Sequence, residues 1–135
     1  MHKAACMLAL LVALPALAQQ NTNDVQMLKK YAGTWAVDCA KPGTRIGVDP
    51  KALTLSSGGK QVSSSAPPLS AFSYFGKMEP PAGFEVALLG EGRGSSLSFL
   101  AMKDAQGPYL TIDADGPLVK QFGQQALSGR FRHCK

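Results

Sequence analysis

GFEVALLGEGRGSSLSFLAM, residues 83–102, is where the fold is decided. Phe84, Val86 and Leu88 alternate before a glycine-rich run at 90–94, and Leu97 and Phe99 alternate after it. Side chains two apart share one face of a strand, so the stretch predicts two antiparallel strands around a turn. Glycines can also cradle a phosphate, but that use needs a following Lys-Ser/Thr or a helix start, and neither follows here. Arg93 at the tip of the turn is a candidate contact for an acidic partner.

Outward from this hairpin the same rhythm continues. Strands are predicted at 34–39, 45–48, 52–56, 61–65, 69–77, 83–89, 95–102, 109–113 and 125–134. The breaks between them include Pro42-Gly43, Gly58-Gly59, Pro67-Pro68, Gly107-Pro108 and Gly116-Pro117. Many short strands at near-even spacing predict a mainly β chain, a small antiparallel β-barrel or sandwich of about eight strands. One short N-terminal helix is expected over 21–31. Asn23 is read as its cap, Asp24 lies in its first turn, Lys29 and Lys30 in its last, and Gly33 stops it.

The first residues have the form of an export signal. His2 and Lys3 precede an apolar run from Ala4 to Leu14, and Ala16-Leu17-Ala18 offers a small-x-small cleavage site. The run falls short of the roughly 20 residues that span a bilayer. The expected organisation is a cleaved signal peptide at 1–18 and a single β-barrel-like domain at 19–135, periplasmic or secreted, with no further membrane span. The whole chain carries 14 Lys and Arg against nine Asp and Glu, a formal charge of +5. The basic residues are scattered and no nucleic-acid motif accompanies them, so solvated charge is the simpler reading and no specific nucleic acid is expected.

With Cys6 in the signal, Cys39 and Cys134 remain as an even pair in an oxidising compartment, which predicts a disulfide. No metal site or cofactor is expected, because His133 is the one histidine outside the signal and no Cys-x-x-Cys occurs.

Gly33-Thr34-Trp35, opening the first strand after a helical turn, resembles the start of lipocalins and other calycin-type barrels, including the smaller avidin-like and bacterial lysozyme-inhibitor barrels. The resemblance implies that Trp35 plugs one end of the fold and that a basic residue of the last strand, Arg130 or Arg132, packs across its ring. Strand parity sets a conflict. An inward Trp35–Val37–Cys39 face and an inward Leu127 and Phe131 put the two cysteines on opposite faces unless a strand end or bulge intervenes. If Cys39 instead lay opposite Cys134 in one ladder, the partner of Trp35 would fall beyond Lys135.

Few residues point to catalysis. A Ser-His-Asp arrangement would need His133, and no Gly-x-Ser-x-Gly elbow is present. Asp113 and Asp115 form only a fragment of a calcium loop. More informative is LSAFSYFG, 69–76: Phe72 and Tyr74 share one strand face while Leu69, Ala71 and Phe75 share the other. Such a strand is either buried on both sides or carries a contact patch, which makes Phe72, Tyr74 and Phe75 candidate binding residues alongside Arg93.

The expectation is therefore an exported binding protein with no catalytic centre. One form is a periplasmic inhibitor or immunity-type protein that inserts a loop such as 90–94 or 80–83 into an unidentified partner protein. A carrier of a small apolar ligand, a hydrolase built on His133, and an envelope protein adhering to anionic polymers are the alternatives.

Overall fold

Asn21 starts the first element of the computed structural model, which describes residues 20–74 and 78–135. The expected signal and Phe75 lie outside the described residues. Helix α1 spans Thr22–Lys30. The Asn21 side chain accepts from the Asp24 amide at 2.9 Å and the Asp24 carboxylate accepts from the Asn21 amide at 3.3 Å, a reciprocal cap. The cap is thus Asn21 and not Asn23, because only from position 21 does the acid fall three residues on.

Among the described residues, nine strands follow in two antiparallel sheets. The first sheet contains β1 (Gly33–Ala36), β2 (Arg45–Val48), β3 (Leu53–Ser57), β4 (Lys60–Ser63) and β9 (Arg132–His133), in the order β4-β3-β2-β1-β9. The second contains β5 (Leu69–Ala71), β6 (Phe84–Gly92), β7 (Ser95–Asp104) and β8 (Gly107–Ile112), in chain order. Alternation brings Trp35, Ile46 and Leu55 from one sheet against Leu88, Phe99 and Leu110 from the other. Leu28, Leu118, Leu127 and Phe131 complete this buried cluster.

The sheets do not close into a barrel. They touch at two corners through single bridges, Ser64 with Gly92 and Leu110 with Phe131. The glycine run of the hairpin serves the first corner: a Cβ on Gly90 would come within 2.9 Å of the Ser64 Cβ, and one on Gly92 within 2.9 Å of the Ser95 carbonyl.

Three elements differ from the sequence reading. Gly116-Pro117 opens a helix, α2 (Gly116–Phe122), where a break was expected. Asp115 caps it, accepting from the Leu118 amide at 2.9 Å, and Pro in a first turn gives up no helical hydrogen bond. The predicted strand 125–134 contracts to β9, with Phe131 held by its bridge to Leu110. The predicted strand 69–77 contracts to the three residues of β5.

Cys39 and Cys134 form a disulfide, their Cα atoms 5.6 Å apart. The parity conflict is resolved by a strand end. β1 stops at Ala36, Val37 turns out to 58% exposure, and the chain bends back to reach Cys134. The ladder pairs Trp35 with His133 and Ala36 with Arg132, so Cys39 lies outside it. No described helix is long and apolar enough to cross a membrane.

Candidate functional site

In the second sheet β6, β7 and β8 are apolar on the inner face while β5 turns Ser70 inward opposite Leu88, and most of the outer face is apolar too. Cross-strand register sets out the outer rows: Leu69–Leu89–Ser98, Ala71–Ala87–Leu100–Thr111, and Phe84–Met102–Tyr109. No formally charged side chain stands in these three rows. An antiparallel sheet that meets water on one side ordinarily alternates apolar with polar, so this face is built to be covered.

Among the described residues, two covers are present. Tyr74 sets its ring edge-on to Phe84, centroids 5.4 Å apart. At the β8 side the guanidinium groups of Arg130 and Arg132 lie 4.8 and 4.9 Å from the Tyr109 ring. Asp104 holds both arginines, at 2.5 Å from Arg130 and 2.6 Å from Arg132. The Arg132 hydrogen bonds above all, with a backbone bond from Gln106 and the Arg130 contact, keep the Asp104 carboxyl well below the usual carboxylate range.

Between these covers the β5–β6 side stays open. Leu69 is 41% exposed and its cross-strand partner Leu89 is 37% exposed; Phe72, just past β5, is 64% exposed. A groove of about 380 Å³ lies here, lined by Pro67, Leu69, Leu89, Glu91, Ser96 and Ser98 among others. The free edge of β5 is blocked. Asp24, 4% exposed, accepts from the Ser70 amide at 2.8 Å and its hydroxyl at 2.7 Å, so the strand edge is capped by a helix side chain.

The candidates from sequence are divided by this geometry. Phe72 is exposed just past β5 and does not line the groove, Tyr74 packs down on Phe84, and Phe75 is outside the described residues. Arg93 sits in the β6–β7 turn beside a separate depression of about 630 Å³ that includes Ser63, Ser65 and Gln121. Tyr74 and Arg93 therefore flank opposite ends of β6, roughly 25 Å apart at the usual strand rise. Leu69, Leu89, Glu91 and Ser98 form the groove that sequence reading passed over. Its signal was the doublet Leu88-Leu89, which breaks the alternation by placing leucine on both faces.

Trp35 does not meet an arginine. His133 takes that place, its ring 5.0 Å from Trp35 and edge-on, with Nε2 3.1 Å from the Ala32 carbonyl. The ring lies over Gly33, where a Cβ would come within 2.4 Å of Nε2, and Gly33 has φ +126. The resemblance implied a basic residue of the last strand across Trp35; the actual register makes His133 its neighbour, and Asp104 draws both arginines to Tyr109. Trp35 Nε1 donates to the Tyr31 carbonyl at 2.8 Å, and the Tyr31 hydroxyl donates to Glu85 at 2.5 Å. Burial, reinforced by Glu85, pushes the Tyr31 phenol above its ordinary value. Glu85 can reach it because β6 bulges between Phe84 and Val86.

Among the described residues, no serine or aspartate hydrogen-bonds to His133, and no group of three His, Cys, Asp or Glu side chains gathers as metal ligands. Asp115 spends both carboxylate oxygens on backbone amides, those of Leu118 and Ser96. Comparison with known protein families, with curated proteins and with solved structures finds no match.

Proposed function

We propose that this chain is an exported binding protein without a catalytic centre, of periplasmic inhibitor or immunity type, that meets a partner protein through the outer face of its second sheet. The observation carrying this reading is the uncovered part of an otherwise covered apolar face, at the cross-strand pair Leu69 and Leu89. Contiguous apolar surface of this kind commonly marks a contact site. The disulfide supports an oxidising compartment, and the leader-like first residues support export. Leucine and phenylalanine side chains at 0–1% exposure fill the space between the sheets, which favours surface binding over carriage of a ligand inside.

The test is capture from a bacterial envelope extract by the oxidised protein, comparing wild type with Leu89→Asp and with Thr54→Asp on the outer face of the other sheet. A partner retained by wild type and Thr54→Asp but lost by Leu89→Asp is expected. Equal capture by all three proteins, or none by any, overturns the reading.

A further inference from the structure

We propose that the groove beside Leu89 takes an extended segment of the partner protein in which an aliphatic side chain and a lysine or arginine stand two residues apart. This rests on the reading of the second sheet as the binding face. Leu89 and Glu91 project from the same face of β6, about 6.8 Å apart at the normal strand rise. That is also the spacing of alternate side chains in an extended peptide.

The cross-strand pairs divide the groove into two subsites. Leu89 lies between Leu69 on one neighbour and Ser98 on the other, which gives the first an aliphatic wall. Glu91 lies opposite Ser96, which gives the second a carboxylate. Among the described residues, the Glu91 carboxylate and the Ser96 and Ser98 hydroxyls carry no hydrogen bond or ion pair, so they are open to a ligand's cation and peptide groups. Of the other acids around this sheet, Asp104 is engaged by two arginines, Glu85 by Tyr31 and Asp115 by two backbone amides, while Asp113, whose amide donates to the Ser98 carbonyl, lies outside the groove lining. In a chain of net charge +5, Glu91 is the one carboxylate among the described residues that line this largely apolar groove. Aliphatic surface followed by a cation is its complement.

The experiment is an NMR titration of the oxidised ¹⁵N-labelled protein at low salt with three blocked pentapeptides: Ala-Leu-Ala-Lys-Ala, the same peptide with Glu in place of Lys, and Ala-Leu-Lys-Ala-Ala. The first should shift the amide signals of Leu69, Leu89 and Glu91 and bind about two- to fivefold more tightly than either twin, as one exposed ion pair allows. In Glu91→Gln, and in wild type at high salt, that advantage should vanish. Leu89→Asp should bind none of them; if circular dichroism shows that it does not fold, Leu69→Ser probes the same subsite.

Equal affinity for the three peptides overturns the proposal, as does absence of binding up to millimolar concentration. Sedimentation showing that a second copy occupies the face, with the Leu89 signals moving on dilution, overturns it too. If capture from envelope extract still depends on Leu89 while the peptides bind alike, the motif fails and the binding face stands. If capture does not depend on Leu89, the functional reading itself falls.

Discussion

Across the first sheet the outward row reads Thr34–Gly47–Thr54–Ser63, while a comparable outward row of the second reads Ala71–Ala87–Leu100–Thr111. Both sheets contribute leucine and aromatic side chains to one core, so the inner faces do not distinguish them. Their outer faces do. The first sheet meets water with hydroxyls and glycine, whereas the second needs arginines stacked on Tyr109, a tyrosine on Phe84 and, we propose, a partner at Leu89. What sets the second sheet apart is thus the polarity of its outer face and not any exceptional residue.

The largest expected loss tests what the sheets share. Phe99→Ala, in the centre of the second sheet and fully buried, should lower unfolding free energy by about 3–5 kcal/mol in denaturant titration, since the site lies between two layers that cannot both relax. A loss below 1 kcal/mol would mean that the second sheet does not depend on the common core.

Next comes the edge of the first sheet. Replacing both Cys39 and Cys134 by Ala should cost about 2–5 kcal/mol, because β9 has only two ladder pairs with β1 and the bond closes a loop of 95 residues. Thiol titration of the oxidised wild type should find neither cysteine reactive.

The matching edge of the second sheet is held by a side chain. Asp24→Ala leaves the Ser70 amide and hydroxyl without their acceptor and removes half the α1 cap, so a loss of about 1–3 kcal/mol is expected in the same titration. Protection of the Ser70 amide from hydrogen exchange should fall with it.

Smaller still is the effect of Leu89→Thr, within about 0.5 kcal/mol of wild type in stability, because the side chain is already partly in water. Binding of a hydrophobic dye should nevertheless decrease, whereas Thr54→Ser on the first sheet should leave it unchanged. Equal dye binding in both variants would erase the proposed difference between the two faces.

Acid should weaken the second sheet's arginine cover. The folded Asp104 carboxyl is depressed by Arg132 and Arg130, so its contribution is complete above the ordinary aspartate value of about 4 and is lost as pH falls below it. Thermal midpoints measured from pH 7 down to pH 2 should fall more steeply for wild type than for Asp104→Asn. Parallel curves would show that this exposed cluster adds nothing to stability.

Most strands were legible because alternation and turn residues are local properties. Thr22–Lys30 follows from its charged ends, and the inner residues of β3 and β7 with Val86 and Leu88 of β6 follow from period two; Phe84, expected on that same face, is turned outward by the bulge at Glu85. Helix α2 was hidden because Gly-Pro marks a turn as readily as a helix start, and Asp115 as its cap was the overlooked cue. The candidate site was half legible. Phe72 stands out as part of a strand apolar on both faces, but the groove arises where Leu69 comes opposite Leu89 and Ser96 opposite Glu91, pairings between segments that no local pattern connects.

By itself the amino-acid order determined a small disulfide-linked β chain, since residue parity, turn chemistry and an even cysteine pair depend only on neighbours and count. Tertiary structure decided what Trp35 touches and which face remains open. Those outcomes depend on strand ends and register: the bend at Val37 brings Cys39 to Cys134 outside the ladder, β9 brings His133 to Trp35, and Asp104 gathers both arginines over Tyr109. A shift of one residue in any of these pairings would reverse the faces, and nothing short of the packed whole selects among them.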